Sequence, residues 1–230
     1  MPIFNDIHVG VDRAEALAVI RRRQAVPRSE AVPTGRQAWL EAVDRAVAEA
    51  PRLVRPAVAY VVLPVTSTEP SRLIVGDGHA LESAVVASLF AEALEVVLML
   101  FTIGPLLEQR VTSLEEAGDY PTAFALDIIG SATLGKTGEV GYGIIEEMAK
   151  ARGTKASLPL NPGTSHWPMS GQRLIARLVD AQAIGVEALE SGVLRPFKSI
   201  AFAVALGDHV LTPAEASSCD YCDNRDLCRP

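Results

Sequence analysis

Two stretches of this chain are apolar on both faces of an extended backbone, and they limit the folds that it can adopt. The segments AVAYVVLPV (57–65) and EVVLMLFTIG (95–104) are rich in β-branched and aromatic residues and carry almost no charge. A half-exposed strand alternates apolar and polar residues, and neither segment shows that alternation. Both therefore predict strands, and the first is expected to be buried on both faces of a sheet.

Helical spacing of apolar residues surrounds these two segments. It is found at 12–23, 36–54, 79–93, 105–119, 120–153 and 170–183. The fifth of these ranges contains glycines at 130, 135, 138, 141 and 143, which weaken a single continuous helix. Those at 138 and 141 fit close packing on a sheet or close approach of a ligand.

Further strands are expected at 72–78, at 155–160 and on both sides of Pro196 within 189–208. Strands and helices do not alternate strictly. The pattern predicts an α+β, or irregular α/β, fold with a central mixed sheet and flanking helices. We divide the chain into an N-terminal helical segment (1–55), a main domain (56–212) and a cysteine-rich tail (213–230).

Bulk composition excludes several classes of protein. The 230 residues are 49% hydrophobic with a net charge of −7, which disfavours a nucleic-acid partner. The apolar run at 84–104 is interrupted by Glu92 and Glu95, so a change from helix to strand explains it better than a membrane span. With no export signal and few cysteines, we expect a cytoplasmic location and no membrane partner.

The sequence LNPGTSHWPMSGQ (160–172) connects a predicted strand to a predicted helix through two prolines and a glycine. Such a loop either only ends the strand or presents backbone and polar atoms to a ligand. Trp167 in its centre has two interpretations. It stacks on a flat ring system, or it fills space beneath the following helix.

The three cysteines all lie in CDYCDNRDLC, at Cys219, Cys222 and Cys228. Two thiolates spaced by two residues can bind one ion, so an iron–sulfur cluster or zinc is one interpretation. Solvent, a small molecule, His209 or a partner chain would supply a fourth ligand. Redox-active thiols, or no role, are the alternatives.

No general acid or base stands out, and neither a P-loop nor a dinucleotide fingerprint is present. We assign no catalytic residue. The sequence favours a protein that binds a reactive small molecule over one that activates it with side chains.

Three segments in order carry a family resemblance: TIGPLLEQRVTSLEEAGDYPTAFALDIIGSATLGKTGEV, NPGTSHWP and SGVLRPFKSIAFAVALG. Together they resemble the reactivation (activation) domain of cobalamin-dependent methionine synthase, and more closely its stand-alone corrinoid-protein-activator-like relatives with a C-terminal cysteine cluster. The resemblance runs from about residue 57 to the end of the chain.

This resemblance implies a C-shaped domain that binds S-adenosylmethionine in a shallow groove. There the methyl donor meets cob(I)alamin on a corrinoid protein or methyltransferase subunit, after a redox donor has reduced it. Any enzymatic activity would be of the methyltransferase type, with the cofactors supplying the chemistry.

The resemblance also implies the residues that border the ligand. It carries over Pro162, Gly163 and Pro168, and we add Glu139, Asn161, Thr164, Ser165, His166 and Trp167 as candidate contacts. The family's arginine, which pairs with the donor's carboxylate, is replaced here by Pro159, and its tyrosine after the glycine by Thr164. Proline cannot supply the paired hydrogen bonds that an arginine guanidinium donates to a carboxylate.

Two other functions remain open from the sequence. One is an electron-transfer or metal-carrying accessory protein that acts through the cysteine tail. The other is a non-catalytic binding subunit with a degenerate pocket.

Overall fold

The computed structural model describes residues 2–5, 7–23 and 33–223, which form nine strands and six α-helices. The strands are β1 (Ile3–Phe4), β2 (Ala57–Glu69), β3 (Arg72–Val75), β4 (His79–Glu82), β5 (Glu95–Thr102), β6 (Lys155–Ala156), β7 (Glu187–Ala188), β8 (Leu194–Arg195) and β9 (Ser199–Gly207). The helices are α1 (Arg13–Arg23), α2 (Pro33–Leu53), α3 (Ala84–Leu89), α4 (Leu106–Glu116), α5 (Tyr120–Ala151) and α6 (Ser170–Leu178). Short 3₁₀ turns occupy Ala181–Ile184 and Ser218–Tyr221.

The main sheet has the strand order β4-β3-β2-β5-β9-β6, with β1 also paired to β2. A separate hairpin joins β7 to β8. The predicted α+β class with flanking helices is confirmed. The expectation of a mixed sheet is corrected, because every pairing among the described strands is antiparallel.

Strand β5 lies between β2 and β9 and contributes to two hydrophobic cores. Val97, Met99 and Phe101 enter one core, whereas the alternate residues enter the other. All of its residues from 96 to 102 are buried. The strand predicted at 95–104 is confirmed as β5, whereas the strand predicted to be buried at 57–65 begins β2 and is buried only from Ala57 to Tyr60.

The helices form two layers, one on each face of the sheet. Helices α1, α2, α4 and α5 supply residues to the first core, whereas α3 and α6 supply residues to the second. The loop at 160–172 leads directly into α6 and therefore belongs to the second layer.

The prediction of one helix over 79–93 is wrong in its first part. Residues His79–Glu82 form β4, which pairs with β3 across a turn containing Gly76 and Gly78, both at positive φ. The side chain of Ser83 then accepts a hydrogen bond from the Val86 N–H and begins α3. The two glycines permit the turn that the helical spacing concealed.

Helix α5 corrects a second expectation, since it runs for 32 residues without interruption despite its glycines. A Cβ on Gly130, Gly138 or Gly141 would come within 2.8 Å of a side chain on α4 or β5. These glycines allow close packing of α5 on its neighbours. Burial of the helix therefore outweighs their poor helix propensity.

The remaining predictions hold with changed boundaries. The strand expected at 155–160 is reduced to β6 and a single bridge from Leu160 to Ala203. The strand, turn and strand around Pro196 are β8 and β9. In the described ranges, no helix is long and apolar enough to cross a membrane.

We predict opposite effects for one substitution at two positions of α5. Gly138→Ala would place a Cβ 2.8 Å from the Phe101 ring, whereas a Cβ at Gly135 meets nothing within 4 Å. We expect Gly138→Ala to lower the free energy of unfolding by about 1–2 kcal/mol through overpacking. Gly135→Ala should raise it by about 0.5–1 kcal/mol through helix propensity. Urea denaturation measures both, and equal effects would contradict the packing described here.

Candidate functional site

The loop at 160–172 begins at the edge of the main sheet, beside β9. Leu160 exchanges backbone hydrogen bonds with Ala203, and the Asn161 side-chain amide donates to the Ala201 carbonyl at 3.1 Å. On its other side, the Ser83 hydroxyl donates to the His166 carbonyl at 2.7 Å. The loop is thus held by both the sheet and the start of α3.

Hydrogen bonds close the loop on itself. The Gly163 N–H donates to the Trp167 carbonyl at 2.8 Å, and the Trp167 N–H donates to the Thr164 carbonyl at 3.3 Å. The Thr164 hydroxyl donates to the Asn161 carbonyl at 2.9 Å. Gly163 adopts a φ of +91°, which favours glycine at this position. Of the predicted polar side chains, that of Thr164 is therefore already used within the turn.

Trp167 is 1% exposed and is one of the largest fully buried side chains of the second core. A Cβ on Gly171 of α6 would lie 2.6 Å from its Nε1 atom. The indole thus packs tightly beneath α6. Of the two interpretations, the structure favours a plug under the helix, because a buried ring offers no face to a ligand.

The tip of the loop is its accessible part. Gly163, Thr164 and Ser165 are exposed, while Pro162 and Trp167 are buried. The Ser165 N–H donates to no described residue, whereas Thr164 forms an antiparallel bridge with Trp167. An acceptor group approaching the tip would meet one unused backbone donor.

Glu139 lies on α5, on the other side of the sheet from α6. It lines a depression of about 430 Å³ together with His8, Val9, Gly10, Lys136 and Val140. Lys136 is neutralised there by Glu15 at 2.7 Å, and Glu139 forms no ion pair with a described residue. The depression shares no lining residue with the loop.

The cysteine tail contacts the loop. The Ser165 hydroxyl donates to the Cys222 sulfur at 3.7 Å and accepts from the Asp223 N–H at 2.9 Å. A capping box between Ser217 and Asp220 orders the turn that carries Cys219. The structure thus brings together two motifs that the sequence analysis treated separately.

Cys228 lies outside the described residues, so the predicted three-cysteine site is present only in part. Cys219 is exposed and Cys222 is half-buried, and both thiols are free. Within the described ranges, no three His, Cys, Asp or Glu side chains come together to hold a metal ion. His209 is exposed, beyond the end of β9.

His166 is enclosed between the loop and the tail. Both of its ring nitrogens are buried, and neither forms a hydrogen bond of normal geometry with a described residue. Burial lowers the pKa of His166. The nearby backbone of Tyr221 and the charge of Asp223 oppose part of this effect.

One cavity was not anticipated from the sequence. It is a cleft of about 610 Å³ along α6, and we call it the α6 cleft. Its charged lining residues are Arg173, Arg177, Asp180 and Glu187. Spacing of four residues between the arginines was the available signal, but it is equally typical of a solvated helix face.

The lowered pKa of His166 leads to a prediction about stability. In the unfolded chain the His166 imidazole binds a proton near pH 6.5, whereas in the folded chain it does so only at lower pH. The contribution of neutral His166 to the free energy of unfolding is therefore complete above pH 6.5. It is lost as the pH falls through the pKa that His166 has in the folded chain. We expect His166→Asn to remove this part of the pH dependence of the unfolding free energy. Exposed His209→Asn serves as the control, and an unchanged profile for His166→Asn would contradict the prediction.

Comparison with known proteins identifies the fold. No protein-family model matches this chain, and no curated protein sequence does. Among solved structures, the chain is similar to the crystal structure of the MetH reactivation domain bound to AdoHcy, with a TM-score of 0.53 and 11% identity over 89% of this chain and 78% of that chain. The fold that the resemblance implied is thereby confirmed.

Proposed function

We propose that this protein is an accessory protein that binds S-adenosylmethionine and serves a corrinoid protein in the reductive remethylation of cobalamin. One observation carries the proposal: its fold matches that of a MetH reactivation domain bound to AdoHcy over 89% of the chain. The sequence resemblance, made on separate motifs, points to the same family. The partner supplies the corrinoid, a redox donor supplies electrons, and the setting is cytoplasmic.

In this proposal the protein binds and orients reactive groups brought by others. That role agrees with the absence of an evident acid or base among the loop side chains. The exposed tip at Gly163, Thr164 and Ser165 borders the ligand, with Asn161, Pro162 and His166 shaping it from beneath. The Ser165 N–H of the tip is a hydrogen-bond donor to the part of the ligand that lies there, and no lysine or arginine of the loop replaces the guanidinium of the family's arginine.

Glu139 is proposed to accept a hydrogen bond from the donor's amino group. Its carboxylate is exposed and has no ion-pair partner among the described residues. It stands in a depression that Lys136 does not make positive, because Glu15 neutralises that ammonium. An ammonium group would therefore be attracted there.

We predict that AdoHcy binds in isothermal titration calorimetry and that Glu139→Gln weakens it about tenfold, through loss of a charge-assisted hydrogen bond. Glu147→Gln is the matched control, since Glu147 is an exposed glutamate of the same helix. Absence of AdoHcy binding to the parent protein would overturn the function. Equal affinities of the two variants would overturn only the role of Glu139.

The partner is tested separately. With a cobalamin-loaded corrinoid protein, S-adenosylmethionine and a chemical reductant, we expect the absorption of cob(II)alamin to convert to that of methylcobalamin faster when this protein is present. An unchanged rate with several corrinoid proteins would count against the proposed role.

A second candidate function is metal carriage or electron transfer through the tail. The observation that favours it is the placement of the Cys222 turn against the loop by Ser165, which orders the thiols. Cys219 and Cys222 would be two ligands of an iron–sulfur cluster or zinc, with Cys228 as the third. The described residues alone do not complete such a site.

This candidate predicts metal in protein purified without oxygen. Elemental analysis should find iron or zinc near one equivalent or more, and an iron–sulfur cluster would add visible thiolate-to-iron absorption. Cys222→Ser should abolish both signals, whereas Ser218→Ala in the same turn should not. Colourless, zinc-free protein would exclude the candidate.

A further inference from the structure

The α6 cleft contains positive and negative side chains that do not neutralise one another. Arg173 and Arg177 line it together with Asp180 and Glu187. No ion pair within 4.0 Å joins any of these four to a described residue. Surface charges of opposite sign that share one cleft without pairing leave both free for a ligand.

The two arginines lie one helical turn apart and project into the same cleft. The Arg173 guanidinium makes one long hydrogen bond, 3.4 Å, to the Glu190 carbonyl. The Arg177 side chain has no partner among the described residues. Like charges at this spacing repel each other. A ligand carboxylate between the two arginines would remove that repulsion and accept hydrogen bonds from both guanidinium groups.

The acidic residues that line the cleft are Asp180 and Glu187. Asp180 follows α6 in a left-handed backbone conformation, with φ +52° and ψ +57°. No other non-glycine residue in the described ranges has a positive φ. Glu187 is exposed at the start of the β7 hairpin. An ammonium group in the cleft would meet these carboxylates.

The cleft also has an apolar part, which we call its floor. It consists of Leu174, Ala176, Ala181, Val186 and Ala188, of which Ala176, Ala181 and Val186 are buried. A volume of about 610 Å³ lies within the range of small-molecule sites. The ligand thus combines a carboxylate, an ammonium group and an apolar body.

We propose that the α6 cleft binds an α-amino acid with an apolar side chain. Its carboxylate is held by Arg173 and Arg177, its ammonium group by Asp180 and Glu187, and its side chain by the apolar floor. This site shares no residue with the proposed methyl-donor site and does not rest on the proposed function.

The test uses the full-length protein and three probes, L-leucine, L-methionine and L-phenylalanine, in isothermal titration calorimetry. The amino acid that binds most strongly is then compared with two analogues that keep its side chain but lack one of its two charged groups. For phenylalanine these are phenethylamine, which lacks the carboxylate, and 3-phenylpropanoate, which lacks the ammonium group. We expect saturable binding of at least one amino acid and at least about tenfold weaker binding of both analogues.

Variants assign the binding to the cleft. Arg177→Gln and Asp180→Asn should each weaken binding about tenfold, and asparagine tolerates the left-handed backbone of position 180. Arg52→Gln, at an exposed arginine of α2, is the matched control and should bind normally. Circular dichroism checks that each variant is folded.

Three outcomes would overturn the proposal. The first is no saturable binding of any of the three amino acids. The second is equal binding of an amino acid and its singly charged analogue. The third is unchanged affinity of folded Arg177→Gln and Asp180→Asn proteins.

Discussion

The architecture depends on burial of β5 from both sides. Its side chains alternate between two cores, so neither layer of helices can be removed without exposing half of the strand to water. Its neighbours β2 and β9 follow the same alternation, and β9 supplies large residues to one core and alanines to the other. The small residues of β9 leave room for Trp167 and α6. The position of the loop is therefore a consequence of how the second face of the sheet is filled.

The loop and the tail form one structural unit through Ser165. Its hydroxyl contacts both Cys222 and Asp223, and His166 is enclosed beside it. Two functional hypotheses that arose from distant motifs therefore concern adjacent surfaces. In the proposed function, the thiol-bearing tail would lie next to the loop that borders the methyl donor. Glu139 lies on the other layer of helices, whereas the α6 cleft adjoins the loop at Ser170.

Much of the fold follows from patterns that the sequence displays openly. The lack of alternation in 57–65 and 95–104 predicts the central strands, and helical spacing predicts most helices. The errors have physical causes. At 79–93, two glycines at positive φ fold a short strand back before the helix begins, and helical spacing cannot reveal such a turn. In α5, five glycines lowered the expected continuity, whereas tertiary packing determined it.

The candidate site was less accessible to prediction, because hydrogen bonding within a loop depends on its three-dimensional closure. The sequence NPGTSHWP indicates a turn. It does not indicate that the hydroxyl groups of Thr164 and Ser165 already donate hydrogen bonds to Asn161 and Cys222. Nor does it show that Trp167 points inward. Likewise, the arginines of the α6 cleft resemble any exposed helix face until the cavity beside them is known.

The glycines of α5 at 130, 138 and 141 pack closely on their neighbours, and we call them the glycine seam. This seam has a mechanical consequence. Close contact of the backbone with Phe101 and Met99 exists only in the present register, because sliding the helix by one residue would push bulkier side chains onto β5. The seam therefore acts as a stop that locks the larger helical layer to the sheet.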